Sequence, residues 1–204
     1  MKSIIVFGDS ITKGRGATIG WCDRLKEHYE SLDYYNCLYN LGIPGDNTKD
    51  VITRLDIEAR ARAQYHYDDD THTIILAIGI NDSRLNNGIP ETDVKEFRNN
   101  IRDIISITKK YTPNIAFIGL IPVDENITAD YEGTSFSNER ITEYDNIIKE
   151  ECAKENIPYC NVYDDMILKD YTKLLGDGLH PNDKGHEIIY NIILEFLKAN
   201  IIVM

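Results

Sequence analysis

Residues 3–10, Ser3-Ile4-Ile5-Val6-Phe7-Gly8-Asp9-Ser10, set the strongest limit on how this chain folds. Four consecutive β-branched or aromatic residues suit a strand buried on both faces, as at the centre of a parallel sheet. The apolar run stops at a glycine, an acid and a hydroxyl. The strand is therefore expected to exit sharply at Gly8, whose backbone is permissive, and to leave Ser10 at the carboxyl edge of the sheet. Ligands bind at that edge in open α/β sheets.

The same punctuation recurs. Tyr35 to Tyr39 reads as a second strand emptying into Asn40-Leu41-Gly42-Ile43-Pro44-Gly45-Asp46-Asn47-Thr48. Asp46 or Asn47 is placed to cap a helix that buries Val51, Ile52, Leu55 and Ala59. Gly45 then stands just ahead of that helix, where backbone N–H groups favour negative charge. Thr73 to Ile78 is a third strand, ending in Gly79-Ile80-Asn81-Asp82, and Ile115 to Leu120 and Pro158 to Val162 are a fourth and a fifth. Helical spacing runs from Trp21 to Leu32, from a cap at Thr92 through Phe97 to Thr108, from Ile141 to Cys152, and from Ile188 to Leu197. Alternating strands and helices predict an α/β fold: a three-layer α/β/α sandwich around a five-stranded parallel sheet. With 204 residues and no linker, repeat or low-complexity tract, residues 1–204 read as a single domain.

Composition narrows the function. A formal net charge of -12 argues against a nucleic-acid footprint or stable membrane association, and makes a neutral or cationic substrate the easier one to accommodate. Met1-Lys2-Ser3 leads straight into the first strand, whose apolar run is too short for a signal peptide or a membrane span and is followed by no cleavage-like segment, so a cytoplasmic location is expected. Cys22, Cys37, Cys152 and Cys160 lack metal-type spacing and read as reduced core thiols. The basic, glycine-rich Ile11 to Gly16 misses both phosphate-loop patterns, because Lys13 precedes Gly14 and Gly14, Gly16 and Gly20 are wrongly spaced. Asp68-Asp69-Asp70 with His72 reads as a solvated turn and not as a metal site. Residues 122–137 form the longest irregular stretch, either a lid over a pocket or a plain surface excursion. In the loop Gly176-Asp177-Gly178-Leu179-His180-Pro181, one carboxylate stands close enough to orient one imidazole.

These four loops together resemble the SGNH hydrolases, the GDSL esterase and lipase family. The resemblance rests on Gly8-Asp9-Ser10, on Asn40 to Asp46, on Gly79 to Asp82 and on Asp177 to Pro181, in that order and each after an expected strand. It implies a flavodoxin-like strand order 2-1-3-4-5, an esterase or acylhydrolase acting on a small-molecule ester, and no cofactor. It also implies site roles: Ser10 as nucleophile, His180 as base, Asp177 as its orienting acid, and Ser10, Gly45 and Asn81 as the oxyanion hole, with Gly42 a turn residue.

The chemistry agrees with those implied roles. A serine hydroxyl is a weak nucleophile until an imidazole takes its proton, and a carboxylate on the other ring nitrogen fixes the tautomer. Backbone N–H groups and a side-chain amide suit the oxygen that becomes charged during attack. His28, His66 and His186 lie in or beside helix patterns and are assigned surface or core-edge roles. The competing reading is a non-catalytic flavin or nucleotide binder on the same scaffold, holding phosphates with Ile11 to Gly16.

Overall fold

The computed structural model describes residues 2–64, 70–130 and 133–200. Its main sheet begins with β1 (Lys2–Gly8), which exits into a single helical turn, α1 (Ser10–Lys13). There follow α2 (Trp21–Leu32), β2 (Asn36–Gly42), α3 (Thr48–Arg62) and β3 (Thr71–Ala77). Two short strands come next, β4 (Leu85–Asn86) and β5 (Ile89–Pro90), and then α4 (Val94–Thr108) and β6 (Asn114–Ile118). The rest of the chain gives α5 (Glu125–Thr128), β7 (Thr134–Ser135), α6 (Asn138–Lys154), β8 (Tyr159–Cys160), α7 (Val162–Ile167), a 3-10 turn at Tyr171–Leu174, and α8 (Asp183–Asn200).

The five long-range strands pair in parallel in the order β2-β1-β3-β6-β8. Counted along the chain this is 2-1-3-4-5, so the fold is the expected α/β sandwich with flavodoxin-like winding. Right-handed crossovers explain the layers: the chain steps from β1 outward to β2, then reverses past β1 to β3, and the reversal sends its helices to opposite faces. Accordingly α2 packs on α8, while α3, α4 and α6 pack against one another in series. The reversal opens a crevice between the carboxyl ends of β1 and β3, and Ser10 and the Gly79 to Asp82 loop stand at that place. Ile4, Ile5, Val6 and Phe7 are all fully buried, as a strand covered on both faces requires.

Several local expectations are corrected. Gly8 does not have an unusual backbone angle; it is glycine because a Cβ there would lie 2.1 Å from Thr12 Oγ1 and 2.7 Å from the Ala77 carbonyl. Gly42 is the last residue of β2 and not a turn residue, and a Cβ on it would meet the Lys13 nitrogen at 2.4 Å. The α4 cap is Asp93, whose carboxylate accepts from Glu96 N–H, because Thr92 is buried one residue earlier with its carbonyl holding the Tyr144 hydroxyl. The fifth strand shrinks to two residues, since β8 pairs only with Phe117 and Ile118 and Val162 already begins α7. Residues 122–137 are not plain loop: α5 and β7 lie within them, and β7 joins β4 and β5 in a small antiparallel sheet. Tyr131 in that stretch lies outside the described residues.

The acidic patch is only partly in view, because Asp68, Asp69 and His66 lie outside the described residues. Asp70 is buried and not solvated. His72 is also buried, at the far end of the sheet from Ser10, with Nδ1 2.6 Å from Ser3 Oγ and Nε2 3.1 Å from the Gln64 carbonyl. The four cysteines are free thiols; Cys22, Cys152 and Cys160 are in the core, and Cys37 is only half-buried. No helix among the described residues is long and apolar enough to cross a membrane.

Candidate active site

Ser10 is the first residue of α1, so its N–H is one of the helix-start donors that have no intrahelical partner. Asp9 caps that turn, its carboxylate accepting from Ile11 N–H at 2.9 Å. The N–H groups of Lys13, Gly14 and Arg15 then donate to the carbonyls of Asp9, Ile11 and Ser10. A loop whose amides are spent internally does not form the phosphate cradle that the binder reading needs.

Across the crevice, the turn ahead of α8 presents His180. Its Nε2 lies 2.9 Å from Ser10 Oγ and its Nδ1 lies 2.7 Å from Asp177 Oδ2. The other Asp177 oxygen accepts from the backbone N–H groups of Leu179, at 3.0 Å, and His180, at 2.7 Å. Partial burial alone would push the Asp177 carboxyl up, but those N–H groups and the imidazole outweigh it and hold the group below its ordinary value. Asp177 therefore stays ionised while its own turn fixes its position. The residue after it is tied down as well, since Asp124 N–H donates to the Gly178 carbonyl at 2.8 Å.

The remaining predicted residues close the same cleft, which has a volume of about 260 Å³ and is lined by Ser10, His180, Gly45 and Asn81 among others. Gly45 has φ +89 with open space where a Cβ would be, so here the requirement is the backbone angle. Asn81 is buried, and its amide donates one hydrogen to the Asp46 carbonyl at 2.8 Å. An amide nitrogen has two hydrogens, so one remains. Sequence and structure agree on bringing Ser10, Gly45, Asn81, Asp177 and His180 to one place.

Three features of the site escaped the sequence. Arg54 on α3 donates to Asp46 at 2.9 Å, to the Leu41 carbonyl at 2.9 Å and to the Gly8 carbonyl at 3.2 Å, which staples the Gly45 loop to the ends of β1 and β2. Burial pushes the Asp46 carboxyl up, with Arg54 opposing. The available signal was helical spacing: Arg54 follows Val51 by three residues and so flanks the buried stripe. Asp82 is fully buried and accepts from both the N–H and the hydroxyl of Thr48, at 3.0 and 2.5 Å, locking the α3 start to the Asn81 loop. Desolvation raises its carboxyl to about 6, and raises that of Asp9, which also feels the Asp82 charge, to about 7. His186, expected at the surface or core edge, is fully buried: Nδ1 accepts from Trp21 N–H and Nε2 faces the Arg15 carbonyl, both at 3.2 Å. Burial lowers its pKa, so a neutral ring bridges the two ends of the 15–21 loop. Among the described residues no group of three His, Cys, Asp or Glu side chains is placed to hold a metal ion.

Residues 6–188 match the GDSL-like Lipase/Acylhydrolase family. A GDSL esterase/lipase of Arabidopsis thaliana is 26% identical over 211 residues, covering 97% of this chain and 86% of its own length. Two solved structures share the fold. One is a lipase/acylhydrolase from Enterococcus faecalis, with TM-score 0.77, 24% identity and coverage of 99% of this chain and 98% of its own. The other is an acetyl xylan esterase from Geobacillus stearothermophilus, with TM-score 0.75, 17% identity and coverage of 98% and 96%. Variants of that esterase with a serine, a histidine or an aspartate replaced by alanine are described as catalytic mutants. With the motifs, the winding and the matched span in agreement, this chain belongs to the GDSL-like lipase/acylhydrolase family and is a carboxylic ester hydrolase of the GDSL type.

Proposed function

We propose that the chain cleaves small-molecule carboxylic esters through Ser10, His180 and Asp177, with a covalent acyl-enzyme intermediate. The observation that carries this reading is the unbroken chain of contacts, 2.9 Å from Ser10 Oγ to His180 Nε2 and 2.7 Å from His180 Nδ1 to Asp177. In the first half-reaction Ser10 Oγ bonds to the ester carbonyl carbon as its proton passes to His180 Nε2. The carbonyl oxygen becomes an anion that the N–H groups of Ser10 and Gly45 and the second amide hydrogen of Asn81 receive. The bond from carbon to the alkoxy oxygen then breaks, and the proton on His180 goes to the departing alcohol. Water repeats the sequence: it loses a proton to His180, bonds to the acyl carbon, and releases the carboxylic acid as Ser10 Oγ takes the proton back.

Asp177 holds the Nδ1–H tautomer and stabilises the imidazolium that forms in each half. It need not take the proton itself, which agrees with a carboxyl held below its ordinary value. A fluorophosphonate probe tests the reading, because its phosphorus is attacked only by an activated hydroxyl. Labelling should map to Ser10 and vanish in Ser10→Ala with the circular dichroism unchanged. Labelling that persists in that variant would refute the assignment.

A further inference from the structure

The chain has 34 acidic against 22 basic residues, yet among the described residues the lining of the cleft that holds Ser10 and His180 has two arginines, Arg15 and Arg84, and no carboxylate. The two differ. Arg84 is spoken for by Glu91, with Nη2 3.1 Å from Oε2. Arg15 is exposed and makes no ion pair with any described residue. With Arg84 set against Glu91, Arg15 is the cationic side chain of the described lining that is left without an ion-pair partner.

Its backbone is fixed although its side chain is free. Arg15 N–H donates to the Ser10 carbonyl at 2.9 Å, and its own carbonyl faces His186 Nε2. The next residue, Gly16, lies so close to the His180 turn that a Cβ on it would be 2.6 Å from the Pro181 carbonyl and 3.1 Å from His180 Cβ. Arg15 therefore stands on the His180 side of the cleft. That side is the alcohol's, because the imidazole that protonates the leaving oxygen has to be beside it.

From this placement we infer that Arg15 reads the alcohol half of the substrate and that this half carries an anionic group such as a carboxylate. The inference rests on the triad reading above and names the substrate class for it. A guanidinium offers a carboxylate paired N–H donors in a planar fork. Such a cation is the means of admitting an anion that the net charge of -12 would otherwise repel.

The test uses two acetyl esters of the same size, 4-acetoxybenzoate, which is anionic, and 4-acetoxybenzamide, which is neutral. Phenol release gives kcat/KM for each, and the anion-to-neutral ratio is compared between parent and variants, so differences in leaving-group reactivity cancel. Arg15→Gln should lower that ratio about 3- to 10-fold, the range of a charge-assisted contact in a half-open site. Arg15→Lys should fall less than Arg15→Gln. A ratio that moves by less than about 2-fold in Arg15→Gln, or equally in both variants, overturns the inference. Ser10→Ala separates the two readings: turnover of both esters that survives it would refute the triad, whereas a flat ratio in a Ser10-dependent enzyme sinks only the role of Arg15.

Discussion

The two walls of the cleft are built in different ways. The inner wall comes from the ends of β1, β2 and β3, and its loops are cross-braced by buried groups: Arg54 ties Asp46 to the Gly8 and Leu41 carbonyls, Asp82 holds Thr48, and Asn100 donates to the Thr48 hydroxyl at 2.9 Å. The outer wall comes from Arg15, Arg84, Thr134 and Phe136. There β4, β5 and β7 are two residues each, β5 is exposed, and Phe136 is the buried anchor. A reacting centre tolerates little displacement, since a misplacement of about 1 Å costs on the order of 10²-fold in rate. A rim that selects substrates has no such demand. With the roles proposed above, precision belongs to the braced wall and selectivity to the rim, and that division predicts separable consequences of mutation.

The largest separation is between the proton-transfer pair and the rim. His180→Ala should reduce kcat/KM on any ester by on the order of 10⁴-fold, and adding Ser10→Ala should lower it little further, because the two act as a unit. Steady-state rates of the single and double variants check this; multiplicative losses would mean that the two side chains act independently. The next effect belongs to Asn81. Removing the donor with Asn81→Ala should cut kcat by roughly 10²- to 10³-fold with KM little changed, since in the proposed oxyanion hole the charge it meets exists only in the transition state. The shape of the pH–rate profile should be retained, as the amide carries no titrating proton. A loss confined to KM would instead make Asn81 a ground-state contact and move it, in effect, to the outer wall.

The inner wall was legible where chemistry is local. Gly8-Asp9-Ser10 and Gly79-Ile80-Asn81-Asp82 are contiguous and each follows an apolar run that reads as a strand, so fold class and candidate residues could be read together. Asp177 to Pro181, equally contiguous, is separated from β8 by α7 and a 3-10 turn and is not delivered directly by a strand as expected. The braces were not legible, because they join positions far apart in sequence: Arg54 reaches Gly8 across 46 residues and Thr48 reaches Asp82 across 34. The antiparallel sheet of the rim was hidden for a related reason. Leu85 pairs with Ser135 through a two-residue strand, too short to show any alternation. The end of β2 was missed because Asn40 looks like loop, whereas its amide is engaged by the Thr12 carbonyl and Asp23 in a half-buried edge strand.

Arg54 offers the sharpest test of bracing at a distance. Arg54→Met keeps the bulk over the Phe7 ring, 5.4 Å from the guanidinium, but leaves the Asp46 carboxylate without its cation and takes the guanidinium donor from the Leu41 and Gly8 carbonyls, of which Gly8 keeps Ile43 N–H. Breaking a mostly buried pair in this way should cost roughly 3 kcal/mol of stability. The Gly45 loop should also lose its register, so kcat should drop about 10-fold even well below the melting temperature. Thermal unfolding and steady-state kinetics on the same preparation check both; a stability loss with kcat intact would make Arg54 a plain structural residue.

The smallest expected effect concerns Asp9, and it probes the electrostatic cost of building the inner wall so deep. Burial raises its carboxyl from the ordinary 3.8 to about 7, and the nearby Asp82 charge adds to the rise. Below pH 3.8 the carboxyl is protonated both folded and unfolded, so it contributes no pH dependence. Between 3.8 and about 7 the unfolded chain has given up a proton that the folded chain keeps, and each step up in pH therefore favours unfolding. Above about 7 both forms are ionised and the loss is complete. Asp9→Asn cannot ionise, yet it keeps the side-chain oxygen that accepts from Ile11 N–H and so keeps the cap on α1. Its melting temperature relative to the parent should accordingly rise between pH 5 and pH 8, by roughly 2–4 °C for each kcal/mol of buried-charge cost relieved. Differential scanning calorimetry at both pH values measures this. The same gap at pH 5 and pH 8 would mean that Asp9 ionises as easily inside the protein as outside it, and that burying its charge at the end of β1 costs the inner wall nothing.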